Sequence, residues 1–321
     1  MTTQQAPLGS GFGPRTTAVE VVEGVDLSGQ SALVTGGYSG IGLETTRALV
    51  SAGAAVVVPA RRPEHARGVL DEAGLQAVEV TPLDLGDLAS VRACAAALRG
   101  RPLDLLVANA AVMACPETRV GPRWEAQLAT NHLGHFALVS LLWPSLVADG
   151  GARVVALSST GHKLSPFRAD DPHFTHGDYD KWKAYGQAKT CNSLFAVHLD
   201  RLGAPLGVRA FAVHPGGILT PLQRHLPREE MVAAGWISED GTPDARFKTV
   251  EQGAATSVWA ATSPQLAGEG GVYCEDVDVA ALTEPGPTAR LRGVDAHAVD
   301  PVQAEALWAW SAAETGVDAV R

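Results

Sequence analysis

The feature that most restricts the fold of this chain is an alternation that begins at Ser31 and continues to Cys274: a short, continuously apolar run, then a stretch with helical periodicity, then another apolar run. The apolar runs are Ser31 to Gly36, Ala54–Ala60, Gln76–Val80, Asp104–Ala108, Arg153–Ser158, Val208–Val213 and Gly271–Cys274; the helical stretches are Ile41–Ala52, Glu64–Glu72, Leu88–Leu98, Trp124–Val147, Ala184–Leu202 and Val250–Ala261. Runs such as LLVANA and RVVALS lack an alternation of period two, as strands covered on both faces by crossover helices do. Strand and helix taking turns predicts an α/β fold: a single-domain, doubly wound parallel sheet of the Rossmann type, about seven strands with helices on both faces. No composition break inside 28–275 marks a linker, so residues 28–321 are read as one domain behind a polar N-terminal extension, 1–27. Two segments interrupt the alternation, 162–180 and 215–248. Ligands of open α/β sheets sit beyond the carboxyl ends of the strands, and both segments follow such ends, so they are the expected substrate walls. Residues 276–321 form a C-terminal tail.

Composition narrows the function classes. With 46% hydrophobic and 19% charged residues the chain can bury a large core. Its net charge of −10 offers no basic footprint for a phosphate backbone, so nucleic acid is not an expected partner. The four cysteines, at 94, 115, 191 and 274, form no CxxC pair; they suit a reducing compartment and are read as buried small hydrophobes. The N-terminal residues lack the pattern of a secretory leader, and the most apolar stretch, Phe136–Ala148, is too short and too interrupted to cross a bilayer. The expectation is a soluble cytoplasmic protein with no membrane contact. His132-x-x-His135 and His173-x-x-His176 lack further close ligands, so no metal site is expected. The nearest approach to G-x-S-x-G, GYSGI from Gly37, fails at Ile41, which disfavours a nucleophile-elbow hydrolase.

TGGYSGIG, Thr35 to Gly42, places glycines at 36, 40 and 42 between the first strand and the first helix. Such spacing arises by chance roughly 0.4 times in a chain of this composition, and its position is what carries weight. A turn there offers backbone N–H groups and a helix dipole to a pyrophosphate, with no Cβ in the way; the bland reading is an ordinary glycine-rich turn. The second strand ends in Arg61-Arg62, where a fold that recognises NAD usually carries an acid. Two guanidiniums suit a 2′-phosphate and favour NADP, against the alternative of two solvated arginines beside Pro63. Asp84 and Asn109-Ala110-Ala111 stand at strand ends where they can meet an adenosine; alone, each reads as a turn residue.

A tyrosine and a lysine four apart share one helix face. Chance supplies roughly 0.06 such pairs here, yet there are two. Tyr179–Lys183 sits in the charged insertion DYDKWK and is read as surface, whereas Tyr185–Lys189 opens an apolar helix and is the candidate for chemistry. A phenol has pKa about 10, so one that exchanges protons near neutrality must have its phenolate favoured by ~4 kcal/mol. A neighbouring ammonium and a positive nicotinamide act in that direction. Ser158 or Ser159, closing the fifth strand, can hold a substrate oxygen beside that phenol; the alternative is a cap or turn.

In order, TGGYSGIG, Asp84-Leu85, Asn109-Ala110-Ala111, Asn131 in TNHLGHF, Ser159 in VVALSS, Tyr185-GQA-Lys189 and Pro215-Gly216 with Thr220 resemble the short-chain dehydrogenase/reductase family over residues 25–315. The long gap from Ser159 to Tyr185, GVYCED and EALWAWSAAETG are similar to the insertion and tail of its retinol dehydrogenase-like subgroup. The resemblance implies an oxidoreductase that passes a hydride between nicotinamide C4 and an alcohol, ketone or aldehyde with apolar bulk. NADP is the expected cofactor, with NAD as the alternative. It implies Tyr185 as acid/base, Ser159 as holder of the substrate oxygen, Lys189 on the ribose hydroxyls, and Asn131 ordering a water in the proton relay. It places the cofactor against Thr35, Gly36, Tyr38, Ser39, Gly40, Ile41, Gly42, Arg61, Arg62, Asp84, Leu85, Asn109, Ala110, Ala111, Tyr185, Lys189, Pro215, Gly216, Ile218 and Thr220. Two other activities share the fold: reduction of an enone carbon–carbon double bond, and non-catalytic dinucleotide sensing, against which the complete Asn131, Ser159, Tyr185 and Lys189 set speaks. Related enzymes pair through the helices that carry the Asn and the Tyr-Lys motif, which the insertion and tail of this chain could cover, so a homo-oligomer stays open. The chain departs from the family at Asn109-Ala110-Ala111, where NAG is commoner, and in its polar N-terminus, where the membrane-bound retinoid enzymes carry an anchor. Retinol itself is therefore not implied.

Overall fold

Apolar runs too short for a helix pair through their backbones, and here they do so in one sheet. The computed structural model describes residues 4–286, 289–318 and 320, so Met1–Thr3 of the N-terminal extension and residues 287, 288, 319 and 321 of the tail lie outside the description. The strands are β1 (Ser31–Val34), β2 (Ala55–Ala60), β3 (Glu79–Pro82), β4 (Leu105–Ala108), β5 (Arg153–Leu157), β6 (Arg209–His214), β7 (Val272–Glu275) and β8 (Asp278–Val279). Their order is β3-β2-β1-β4-β5-β6-β7-β8, parallel except for the last pair. The eighth strand adds to the seven expected: Asp276 and Val277, at φ 51° and 64°, turn the chain straight back on itself. The third strand starts later than expected because the helix ends at Glu72 with Leu75 N–H donating to Leu70 O across Gly74 at φ +76°, and residues 75–78 then form a turn closed by Val78 N–H to Leu75 O.

Among the described residues, seven longer helices flank the sheet: α1 (Gly40–Ser51), α2 (Pro63–Glu72), α3 (Leu88–Ala97), α4 (Gly134–Leu141), α5 (Lys181–Gly203), α6 (Val250–Thr262) and α7 (Pro301–Thr315). One apolar layer joins β4, β5 and β6 to α3, α4, α5 and α7; the other packs α1 and α6 on the opposite face. Ala18, Val21, Val22 and Leu27 of the N-terminal segment are buried in that second layer. The helix expected over 124–147 is broken up. Trp124–Glu125 pairs with Arg119–Val120, and the Glu125 carboxylate then accepts from the N–H groups of Gln127 and Leu128 (2.9 and 2.7 Å), which starts the helix at Ala126. It widens into a π turn over Ala129–Leu133, around Asn131, before continuing as α4. α5 begins at Lys181 because Asp180 accepts from Trp182 and Lys183 N–H (2.9 and 3.1 Å). α7 lies across α4 and α5: Trp308 stacks parallel to Phe195 at 5.8 Å and meets Phe136 edge-on at 4.8 Å. All four cysteines are buried and unpaired.

Candidate active site

The chain leaves β1 at the carboxyl edge of the sheet and must turn at once into α1. Gly36 does so at φ +65°, and a Cβ on Gly42 would lie 2.3 Å from Gly36 O and 2.5 Å from Asn109 Nδ2. Only a bare backbone fits there. Ser39, the N-cap of α1, makes no side-chain cap bond, so the leading N–H groups of α1 are left for a ligand at the cavity wall. The loop is tied to the turn after β4: Asn109 and Ala110 N–H donate to Thr35 Oγ1 (2.9 and 3.0 Å), and Asn109 Nδ2 donates to Thr35 O (2.8 Å). Beneath both sits His135, which lies within the TNHLGHF stretch but to which the sequence alone assigns no role in the site. Burial holds its pKa down to about 4, so it is neutral: Nδ1–H donates to Asn131 O (3.0 Å), and Nε2 accepts from the Thr35 hydroxyl (2.8 Å).

A cavity of about 1250 Å³ opens along this edge. Of the predicted site residues only Gly42 and Asn131 are absent from its wall. Gly42 packs under the loop. Asn131 spends its side chain on Val112, accepting from the N–H (2.8 Å) and donating to the carbonyl (2.9 Å), and so fixes the backbone beside the cavity. Arg61 and Arg62 are exposed at one end, with no carboxylate partner among the described residues. Asp84 accepts from Gly86 N–H and shapes the turn after β3 (2.9 Å).

Ser159 follows β5 and caps the turn after it, where Gly161 N–H donates to its Oγ (3.0 Å). Gly161 is bare because the Tyr185 ring lies against it; a Cβ would come within 2.8 Å of that ring. Tyr185 and Lys189 are one turn apart on α5, both buried, with the ammonium 5.6 Å from the ring centroid and donating to Leu157 O (2.8 Å). Burial pushes the Tyr185 phenol up to about 12 against the hydrogen bond from Ser159, and pulls Lys189 down to about 7. Burial therefore drives both towards their neutral forms, against the phenolate-favouring effect expected of Lys189. The other Tyr-Lys pair is not simply surface. Tyr179 places its hydroxyl between Glu125 Oε1 (3.1 Å) and Cys115 O (3.2 Å) and accepts from Gln127 Nε2 (2.8 Å), anchoring the approach to α5; Lys183 alone is exposed.

Segment 215–248 lines the cavity as expected, through Ile218, Leu222, Trp236 and Phe247. Segment 162–180 contributes only Leu164. The rest of it packs elsewhere: His162 is buried against Tyr273, Phe174 against Tyr179, and Phe167 and His173 pack on Trp310 of α7 at 5.0 and 5.8 Å. His132, likewise, meets Ser311 Oγ at 2.8 Å and docks α7. Contributors that were not foreseen include Trp182, Arg290 to Arg292 of the tail, and Pro14-Arg15 of the N-terminal segment. That segment is held to the sheet edge by Asp278, whose carboxylate accepts from the N–H groups of Leu8, Gly9 and Ser10 (2.9, 2.9 and 3.2 Å).

Comparison with known proteins agrees with this geometry. The family model for the short chain dehydrogenases matches residues 30–231. A Streptomyces lividans protein named "probable oxidoreductase" is 48% identical over 294 residues, covering 90% of this chain and 98% of that protein. The crystal structure of an uncharacterized Mycobacterium paratuberculosis protein superposes with a TM-score of 0.73 at 30% identity, covering 95% of this chain and 98% of that one. The RhlG/NADP active-site complex of Pseudomonas aeruginosa gives 0.60 at 25% identity, covering 78% and 96%. No helix among the described residues is long and apolar enough to cross a membrane.

Proposed function

This chain belongs to the short-chain dehydrogenase family and is an NAD(P)-dependent oxidoreductase; we propose that it is an NADP(H)-preferring alcohol dehydrogenase/carbonyl reductase of the retinol dehydrogenase-like subgroup, acting on an alcohol, ketone or aldehyde with apolar bulk. The observation that carries this reading is that Ser159, Tyr185 and Lys189 face the same cavity as the uncapped, glycine-lined start of α1. The bare backbone there fits a pyrophosphate, and the carboxylate-free Arg61 and Arg62 fit a 2′-phosphate. The similarity to a protein with NADP in its active site supports the same preference.

Bound in that cavity, the nicotinamide supplies or accepts the hydride. The Ser159 hydroxyl donates a hydrogen bond to the substrate oxygen, and Tyr185 gives that oxygen a proton or takes one from it. A phenol held near 12 is a weaker acid than in water, yet still a far stronger one than an alcohol, so protonating a forming alkoxide runs downhill. Lys189 is assigned to the ribose hydroxyls. With the Asn131 side chain committed to Val112, its part in the relay runs through its main-chain carbonyl, which His135 also contacts. Four unpaired buried thiols suit the reducing cytoplasm. α7 covers the α4/α5 face through which related enzymes pair, so pairing through that face is not expected.

Tyr185→Phe tests the assignment, because the ring stays and only the proton is lost. Turnover should fall at least 1,000-fold, with NADPH Kd unchanged within about threefold. Retention of a tenth of wild-type kcat, with chemistry rate-limiting, rejects it.

A further inference from the structure

Several of the cations that the cofactor reading leaves unused lie along one stretch of the cavity wall. Arg15 donates to the carbonyls of Phe247 and Ala245 (2.8 and 2.5 Å). The next residue, Lys248, reaches one oxygen of Asp276 at 2.7 Å, and Arg292 meets the other at 3.5 Å. Arg290 lines the same wall and, like Arg15, has no carboxylate partner among the described residues. The acids here are few: Asp276 is shared between two cations, and Glu275 accepts from Gly293 N–H while burial raises its pKa. In a chain of net charge −10, this is a local excess of positive charge at the mouth of a cleft, where low-dielectric walls focus the field.

Between these cations and the proton donor the wall is aromatic. Trp182 and Trp236 pack with Tyr185 in one apolar cluster. The two indoles meet edge-on at 5.9 Å, and Trp236 meets Phe247, the residue whose carbonyl Arg15 holds, at 6.1 Å. The surface thus runs from Tyr185, over two indoles and a phenyl ring, to the guanidiniums.

The geometry points to a substrate that carries an anionic oxygen group, carboxylate or phosphate, at the end remote from its reacting carbon. Its apolar body lies on Trp182, Trp236 and Phe247, and Arg15, Arg290 and Arg292 receive the anion. This deepens the reductase reading and rests on it. The bidentate fork of arginine is suited to either oxyanion.

The test compares NADPH-dependent reduction of 4′-formylbiphenyl-4-carboxylate, its neutral methyl ester and 4′-formylbiphenyl-4-yl phosphate, alongside a panel of neutral aromatic ketones. At low ionic strength at least one anion should exceed the ester by about tenfold in kcat/KM, and which anion does so identifies the group. The margin should shrink several-fold near 1 M salt, where the Debye length is about 3 Å. It should also disappear in Arg290→Ser/Arg292→Ser, and separately in Arg15→Gln, with NADPH Kd kept and the ester, which lacks the anion, losing less activity than the anion in each. Equal or better use of the ester, or a margin indifferent to salt and to both variants, overturns the proposal. So does a matching loss of NADPH affinity, which would give these arginines to the cofactor. If NADPH binds but no anionic or neutral carbonyl is reduced, the reductase reading itself has failed and takes this proposal with it.

Discussion

The two ends of the cavity are built from different material. Where the dinucleotide's pyrophosphate would lie the wall is backbone: Gly36 and Gly40 bring main-chain atoms to the surface, Gly42 lets the loop close underneath, and Thr35, Asn109, Asn131 and His135 lock it together from below. At the substrate end the wall is side chain, assembled from Trp182 on α5, Trp236 and Phe247 of the irregular 215–248 segment, Arg290 to Arg292 of the tail and Arg15 near the N-terminus. A backbone site is rigid and intolerant of an added carbon. A side-chain site can change one residue at a time, which is how a shared fold takes different substrates.

The largest effect that separates the two ends should come from Gly42→Ala. Its Cβ would meet the Gly36 carbonyl and Asn109 Nδ2, neither of which can step aside, so NADPH affinity should fall at least 100-fold and stability by about 2–4 kcal/mol. Calorimetric titration and thermal melts check this, and near-normal binding would show that the loop is not locked. Trp236→Ala should be milder and confined to the other end. KM for an aromatic carbonyl should rise about tenfold with NADPH Kd unchanged, and an equal change in both constants would break the comparison. Acid sensitivity belongs to neither end alone. Burial holds His132 at about 3, His135 and His162 at about 4 and His214 at about 3, below the 6.5 of an unfolded histidine. The folded state binds fewer protons between these values, so stability is full above pH 6.5 and is lost as pH falls towards 4. Each ring held neutral in the fold contributes a loss of at most about 1.4 kcal/mol for every pH unit descended through that window. Melting temperature should fall steadily from pH 6.5 to pH 4.5, less steeply in His135→Gln, and a flat profile would mean that these rings are not held neutral.

The backbone end was legible in the sequence because local rules produce it. A glycine spacing between an apolar run and a helix, arginines at the end of the next run, and a Tyr-Lys pair one helical turn apart each name their own surroundings. The side-chain end was not, because Arg15 and Arg290 to Arg292 reach the cavity only through the return of the chain ends to the sheet edge. Nothing near them in sequence reports that return. Segment 162–180 follows a strand end, as a substrate wall should, but Phe167 and His173 pack on α7 while Phe174 and Tyr179 pack on each other. β8 escaped notice because it is two residues long and follows Val277 at positive φ, where a β-branched residue is disfavoured. His135 lies inside a uniformly apolar helical run, so periodicity could not show that its ring reaches Thr35.

The most direct test of the account is a thermal-shift titration of the wild type and of Arg61→Asp/Arg62→Ala with NADP⁺ and NAD⁺ separately, since a ligand raises stability by RT ln(1 + [L]/Kd) without any known substrate. The wild type should respond to NADP⁺ at lower concentration than to NAD⁺, and the variant should reverse that order. No shift of the wild type with either dinucleotide at millimolar concentration would contradict the assignment of the cavity as a dinucleotide site.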